Sequence, residues 1–219
     1  MAKSRTPSHV TIVDGSSLFD ACQTIAERFN RERLTIDYAK LSETLAATRK
    51  TARWEPADIQ SILLSIDPAS ESQQRFLSMV SRHGFDPDTI HFRDAFASLP
   101  PGKSPNDSTS KSIVSFAARI AYIAGLLARN AGGSLLVVTH TFELCGPLCD
   151  LRQRLTSGHV GIAYFGSMLD YRWKLAGLLD KKLGIDFFDL DEAALELMGV
   201  DLAGNVQAAT EATAGLRRF

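Results

Sequence analysis

Cysteine is scarce in this sequence. Cys22, Cys145 and Cys149 are the three present, an odd number without paired spacings. That excludes a disulfide framework and fits reduced thiols in a reducing cytosol. Cys145 and Cys149 stand four apart and can share a helix face, but two thiols fall short of the about four ligands that a structural zinc site needs. Long apolar runs are missing as well. The longest apolar helix candidate, Ile113 to Ala128, contains Arg119 and falls short of the about 20 residues that span a bilayer. The start, Met1 to Ser8, is short and polar and lacks signal-peptide character. The expected location is cytoplasmic, with no membrane partner. Neither sign of charge dominates: 24 Lys and Arg stand against 25 Asp and Glu, a net charge of −1. No global basic field draws the chain onto nucleic acid, so contact with RNA requires a local patch. The 5 histidines show no metal-ligand spacing, and no Gly-Lys-Ser/Thr follows Gly132-Gly133, which excludes a phosphate loop there.

What is present is an alternation of apolar strands and amphipathic helices. His9 to Val13 is β-branched and apolar and stops at Asp14-Gly15, which predicts a buried first strand followed by a helix that Ser16 or Ser17 caps. A helix from Asp37 to Lys50, a strand from Ile59 to Ile66, a helix from Glu71 to Arg82 and a short strand from Thr89 to Phe92 follow. Leu99 to Asp107, rich in Pro, Gly, Lys, Ser and Asn, reads as the clearest long loop. Ile113, Phe116, Ala117, Ile120, Ala124 and Leu127 recur at helical spacing and predict a helix over Ser110 to Asn130, with Asp107 or Ser108 as its cap. Ser134 to Val138, Val160 to Tyr164 and Ile185 to Phe188 are strand candidates, separated by helices over Phe142 to Leu155 and Leu169 to Leu183. This order predicts an α/β fold with a parallel sheet covered on both faces, a three-layer α/β/α sandwich, as a single domain over residues 1–199 with a C-terminal tail from 200 to 219.

In open parallel sheets, ligands bind beyond the carboxyl ends of the strands. Asp14 stands at the end of the first strand, Glu143 just after the Ser134–Val138 strand, Asp94 after the third strand, and Asp107 at the start of the long helix. Carboxylates gathered there suit Mg²⁺ or Mn²⁺, which prefer oxygen ligands and activate water against a phosphodiester. Each acid also has a plainer role: Asp14 as a turn and cap residue, Glu143 as an acid favoured by a helix N-terminus, Asp107 and Asp94 as loop or cap residues. Basic residues cluster at helix ends, namely Arg28, Arg31 and Arg33, then Arg49, Lys50 and Arg53, then Arg152 and Arg154. They can grip phosphate, although helix C-termini favour cations for dipole reasons alone. Tyr171-Arg172-Trp173-Lys174 mixes aromatic and basic character, which suits either base stacking or cover for the core.

Several of these segments resemble the NYN branch of the PIN-like ribonuclease superfamily. Its members commonly open with an apolar strand ending in Asp with a nearby Asn. A Lys-Gly-x-Asp-like helix start follows, then a strand running into Ser-Gly-Asp-Ser-Asp-Phe and Pro-Leu. Val10 to Ser16 is similar to the first motif, with Ser16 in place of Asn. Lys111-Ser112 is similar to the second, with Val114 where the acid belongs. Leu135 to Glu143 followed by Pro147-Leu148 is similar to the third, with one extra residue before the Pro-Leu. Gly158 to Tyr164 and Ile185 to Leu190 resemble the later strands, so the likeness runs from about residue 9 to 190.

The resemblance implies a divergent metal-dependent ribonuclease that hydrolyses RNA phosphodiester bonds with Mg²⁺ or Mn²⁺. Asp14 and Glu143 would then be metal ligands and catalytic groups, Asp107 or Asp94 would complete the site, and Ser16 would orient water or phosphate. Lys111, Arg172 and Trp173 would contact substrate. The alternative is a catalytically inactive module of the same fold that binds protein or RNA, with Arg172 and Trp173 as contacts.

Overall fold

The computed structural model describes residues 7–32, 34–66, 70–91, 106–129, 132–166, 168–173 and 183–198. Six strands form one sheet: β1 (His9–Asp14), β2 (Ile59–Ile66), β3 (Asp86–His91), β4 (Ser134–Val138), β5 (His159–Tyr164) and β6 (Asp186–Asp189). All neighbours pair in parallel, in the order β3-β2-β1-β4-β5-β6. Seven helices appear among the described residues: α1 (Gly15–Arg28), α2 (Tyr38–Thr51), α3 (Glu71–Arg82), α4 (Asn106–Leu127), α5 (Cys145–Arg154), α6 (Tyr171–Trp173) and α7 (Asp191–Leu197). A 3₁₀ turn at Phe142–Leu144 leads into α5.

Central strands of such a sheet are buried on both sides, so their sequences are continuously apolar rather than alternating. β4 is the clearest case, with every residue of Ser-Leu-Leu-Val-Val buried. Alternate residues serve two separate cores. On one face Val13, Ile62, Leu136, Val138 and Ala163 pack against α1, α2, α3 and α7. On the other, Val10, Ile12, Leu135, Val137 and Ile162 pack against α4, α5 and Trp173. Helices on both faces of a parallel sheet make this the expected three-layer α/β/α sandwich.

The chain winds outward from β1 through β2 to β3. It then returns through α4 to place β4 on the other side of β1, and winds outward again to β6. The reversal between β1 and β4 opens a crevice at their carboxyl ends, the topological switch point.

Several boundaries move. β3 begins at Asp86, three positions before the expected Thr89, and pairs with β2 from Ser61 onward. α4 begins at Asn106, so Asp107 and Ser108 lie within its first turn rather than before it. The first three residues of the expected Phe142–Leu155 helix form a 3₁₀ turn, and α5 begins at Cys145. α7 had no counterpart in the sequence reading; its Leu197 carbonyl accepts the Asp37 amide at 2.8 Å and so holds the start of α2. Most of the Leu99–Asp107 loop, most of the helix expected after Leu169 and the tail from residue 200 lie outside the described residues. Among the described residues, no helix is long and apolar enough to cross a membrane.

Candidate functional site at the switch point

Asp14 ends β1 at the crevice and is 9% exposed. It is the N-cap of α1, the plainer of the two roles its position allows, so neither Ser16 nor Ser17 is the cap. Its Oδ1 accepts the Ser16 and Ser17 amides at 3.1 and 3.3 Å. Its Oδ2 accepts the Ser17 hydroxyl at 2.7 Å and the Thr139 hydroxyl, from just beyond β4, at 3.2 Å. The hydroxyl oxygens are used in turn: Ser17 Oγ accepts the His140 amide at 3.3 Å, and Thr139 Oγ1 accepts the Thr141 amide at 3.2 Å. The result is a buried network that ties the start of α1 to the end of β4. Gly15 makes the turn possible, because a Cβ there would stand 2.6 Å from the Leu63 carbonyl oxygen and 2.6 Å from Leu64 Cδ2.

Buried hydrogen-bond acceptors rarely remain unpaired, and a carboxylate has about four lone-pair directions to satisfy. Asp14 receives four donors, all of them neutral. Ser16 contributes its backbone amide while its side chain is exposed. Beside this network lies His140, 8% exposed, whose Nε2 accepts the Phe165 amide at 3.4 Å. Burial disfavours its charged form and lowers its pKa to about 4, so the ring is neutral at pH 7 with its proton on Nδ1.

Glu143 lies on the exposed part of the rim in a different set of contacts. Arg172 Nη2 donates to its Oε1 at 2.9 Å and to Asp170 Oδ2 at 2.7 Å. The guanidinium also lies over the Phe142 ring, 4.8 Å from its centroid. Hydrogen bonds to Asp170, then to Glu143, raise the pKa of Arg172, and the bond from Arg172 lowers that of Asp170. Trp173 is fully buried, edge-on to Phe142 and Phe187, so it covers the core and has no face free for a substrate. Asp107 and Lys111 lie on the first turns of α4, with side chains outside the described set, and Asp94 lies outside the described residues.

Other rim residues escaped the sequence reading. Asp20, on α1, has its pKa raised by burial and then by the charge of Asp14. Asp189 and Asp191 flank Leu190 at the end of β6; Asp191 Oδ1 accepts the Gly166 amide at 2.9 Å, and Asp189 Oδ1 accepts the Asp191 amide at 2.8 Å. The signals were present: Ser17 stands three residues after Asp14, the spacing of an Asx-type cap, and Asp-Leu-Asp closes the last strand.

These groups do not fit a divalent ion. Among the described residues, no three His, Cys, Asp or Glu side chains come together as a metal-holding group. The lone pairs of Asp14 are engaged by the chain's own donors, and Glu143 is ion-paired with Arg172. An ion such as Mg²⁺ needs several oxygen ligands to offset its dehydration.

No protein-family model matches the chain, and no curated protein matches it.

Proposed function

We propose that this chain is a PIN/NYN-like α/β domain that binds a partner at its switch-point rim without cleaving it. The observation that carries this reading is the engagement of Asp14: a carboxylate already holding four neutral donors serves as a structural tie between α1 and β4. To act as a metal ligand it would have to lose the Ser17 and Thr139 protons that satisfy it.

The charge of the rim supports a protein partner rather than RNA. Among the described residues, Asp20, Glu143, Asp170, Asp189 and Asp191 stand there against Arg172, a charge balance that repels phosphates and attracts Lys and Arg side chains. Phe142, partly exposed beneath the Arg172 guanidinium, adds apolar surface. The partner is therefore a protein segment bearing basic side chains. A cytoplasmic setting suits the three unpaired thiols.

The test has two arms. Purified protein and its Asp14→Asn variant are incubated with single-stranded RNA and Mn²⁺, and a fluorescent oligo-arginine peptide is titrated separately. The expected result is equal background RNA hydrolysis by both proteins, with peptide binding that weakens about tenfold, or ~1.4 kcal/mol, in Asp189→Asn/Asp191→Asn. Metal-dependent cleavage lost in Asp14→Asn would instead establish the ribonuclease that the motif resemblance implies.

A further inference from the structure

The basic cluster at the end of α2 does more than complement a helix dipole. A cavity of about 550 Å³ opens beside it, walled by Arg49, Lys50, Arg53, Trp54, Ala46 and Pro56. That volume is in the range of small-molecule sites. It lies toward the amino ends of the strands, away from the rim described above: Arg49 reaches Val10 and Thr11 on β1 and Ser134 at the start of β4.

Three observations give the cavity a chemistry. First, among the described residues its lining contains three cations and no acid. Arg49 is 2% exposed and donates to neutral acceptors: the Glu55 carbonyl at 2.9 Å, the Val10 carbonyl and Thr11 hydroxyl at 3.2 Å, and the Ser134 hydroxyl. Asp58 acts on it through space, but that carboxylate accepts the Ser8 and His9 amides at 2.7 and 2.9 Å. The guanidinium has no ion-pair partner among the described residues, so the wall carries a positive charge that Asp58 tempers only from a distance. Second, among the described residues neither Lys50 nor Arg53 forms an ion pair. The carbonyls at the end of α2 do not claim the cavity either, since Thr48, Lys50 and Arg49 accept the amides of Ala52, Arg53 and Trp54 at 3.0, 3.0 and 2.8 Å. Third, Arg53 has φ of 59°, the left-handed conformation that a helix end ordinarily gives to glycine. A bulky cation stands where the backbone favours no side chain at all.

The remaining wall is mostly apolar, with Thr11 and Gln60 as its polar members. Trp54 stacks on His159, with centroids 5.2 Å apart and planes at 18°, and meets Phe188 edge-on. It lies so close to β5 that a Cβ on Gly161 would stand 2.7 Å from its Cη2.

We propose that this cavity binds a small phosphate monoester with a flat apolar body. Lys50 and Arg53 hold the phosphate, Arg49 supplies fixed positive potential behind them, and Ala46, Trp54 and Pro56 cover the body. A doubly charged phosphate group matches the local excess of cations, and flexible Lys and Arg termini suit its oxygens.

The probe is 1-naphthyl phosphate, titrated calorimetrically into the full chain, with uncharged 1-naphthol alongside. The account expects saturable one-to-one binding of the phosphate and at least tenfold weaker binding of the naphthol. Arg53→Gly should reduce phosphate binding at least tenfold while its melting temperature stays the same or rises, because glycine relieves the backbone. That pairing separates lost contact from lost folding. Lys50→Met should weaken binding in the same direction. Absence of saturable binding, equal binding of phosphate and naphthol, or wild-type affinity in Arg53→Gly each overturns the assignment.

Discussion

The two ends of β1 hold opposite solutions to the same problem. Asp14, at the carboxyl end, is a buried anion satisfied almost entirely by neighbours in sequence and by the next strand in the sheet. Arg49, toward the amino end, is a buried cation carried there from the last turn of α2, donating to β1, to the start of β4 and to the loop at Glu55. Neither forms an ion pair among the described residues; each is met by neutral dipoles. The difference lies in what remains around them. The anion is enclosed by hydroxyls whose own lone pairs are taken, whereas the cation backs a cavity with two further cations on its wall. A buried charge surrounded by satisfied partners is a structural joint, and one beside open volume with like charges is poised for a counter-ion.

That contrast can be broken most forcefully at Arg49. Arg49→Ala removes a fully buried side chain and, with it, the hydrogen bonds to the Thr11 and Ser134 hydroxyls and to the carbonyls of Val10 and Glu55. We expect a loss of about 4 kcal/mol, read as a lower urea midpoint with unchanged slope. Burial lowers the Arg49 pKa to about 10, so its charge is intact at pH 7 and this group gives stability no pH dependence near neutrality.

The Asp14 end should instead reveal itself in acid. His140 has its pKa lowered from 6.5 to about 4, so between those values the unfolded chain binds a proton that the folded chain refuses. The stability contribution is therefore full above pH 6.5 and declines as the pH falls toward 4, by up to about 3 kcal/mol. Denaturant unfolding across that window, compared with His140→Gln, checks it: the variant should show the shallower slope. Smaller again is Asp14→Ala, which removes a helix cap and the carboxylate acceptor of the Ser17 and Thr139 hydroxyls, for about 2 kcal/mol; Asp14→Asn retains one acceptor and should cost about half of that. If Asp14→Ala proved more damaging than Arg49→Ala, the view of the anion as a local joint and the cation as a long-range one would be reversed.

The parallel sandwich was legible because central strands buried on both faces must be unbroken apolar runs, as Ser134 to Val138 is, while the helices between them carry a single apolar stripe. Asp14 was legible as a strand-end acid whose chemistry had two readings. Its neighbours in sequence, Ser16 and Ser17, looked like caps, whereas the carboxylate takes that position and receives their amides. Glu143 was correctly placed just beyond β4, but its ion pair joins residues 29 apart in sequence, a separation that no local pattern encodes. Trp173 looked equally suited to a surface or a core because aromatic character alone does not distinguish them; the converging edges of Phe142 and Phe187 do. The cation cluster at Arg49, Lys50 and Arg53 was visible as letters, yet its meaning depends on the cavity that Trp54 helps to build against Gly161.

The most direct measurement is the melting temperature of the wild-type chain in millimolar Mn²⁺ and in EDTA, with Asp14→Asn measured in parallel. An ion held only by the folded state, at a hundredfold excess over its Kd, adds about 2.7 kcal/mol. With Asp14 committed to Ser16, Ser17 and Thr139, the melting temperature should be the same in both solutions for both proteins. A rise in Mn²⁺ that Asp14→Asn abolishes would contradict that commitment and identify the carboxylate as a metal ligand.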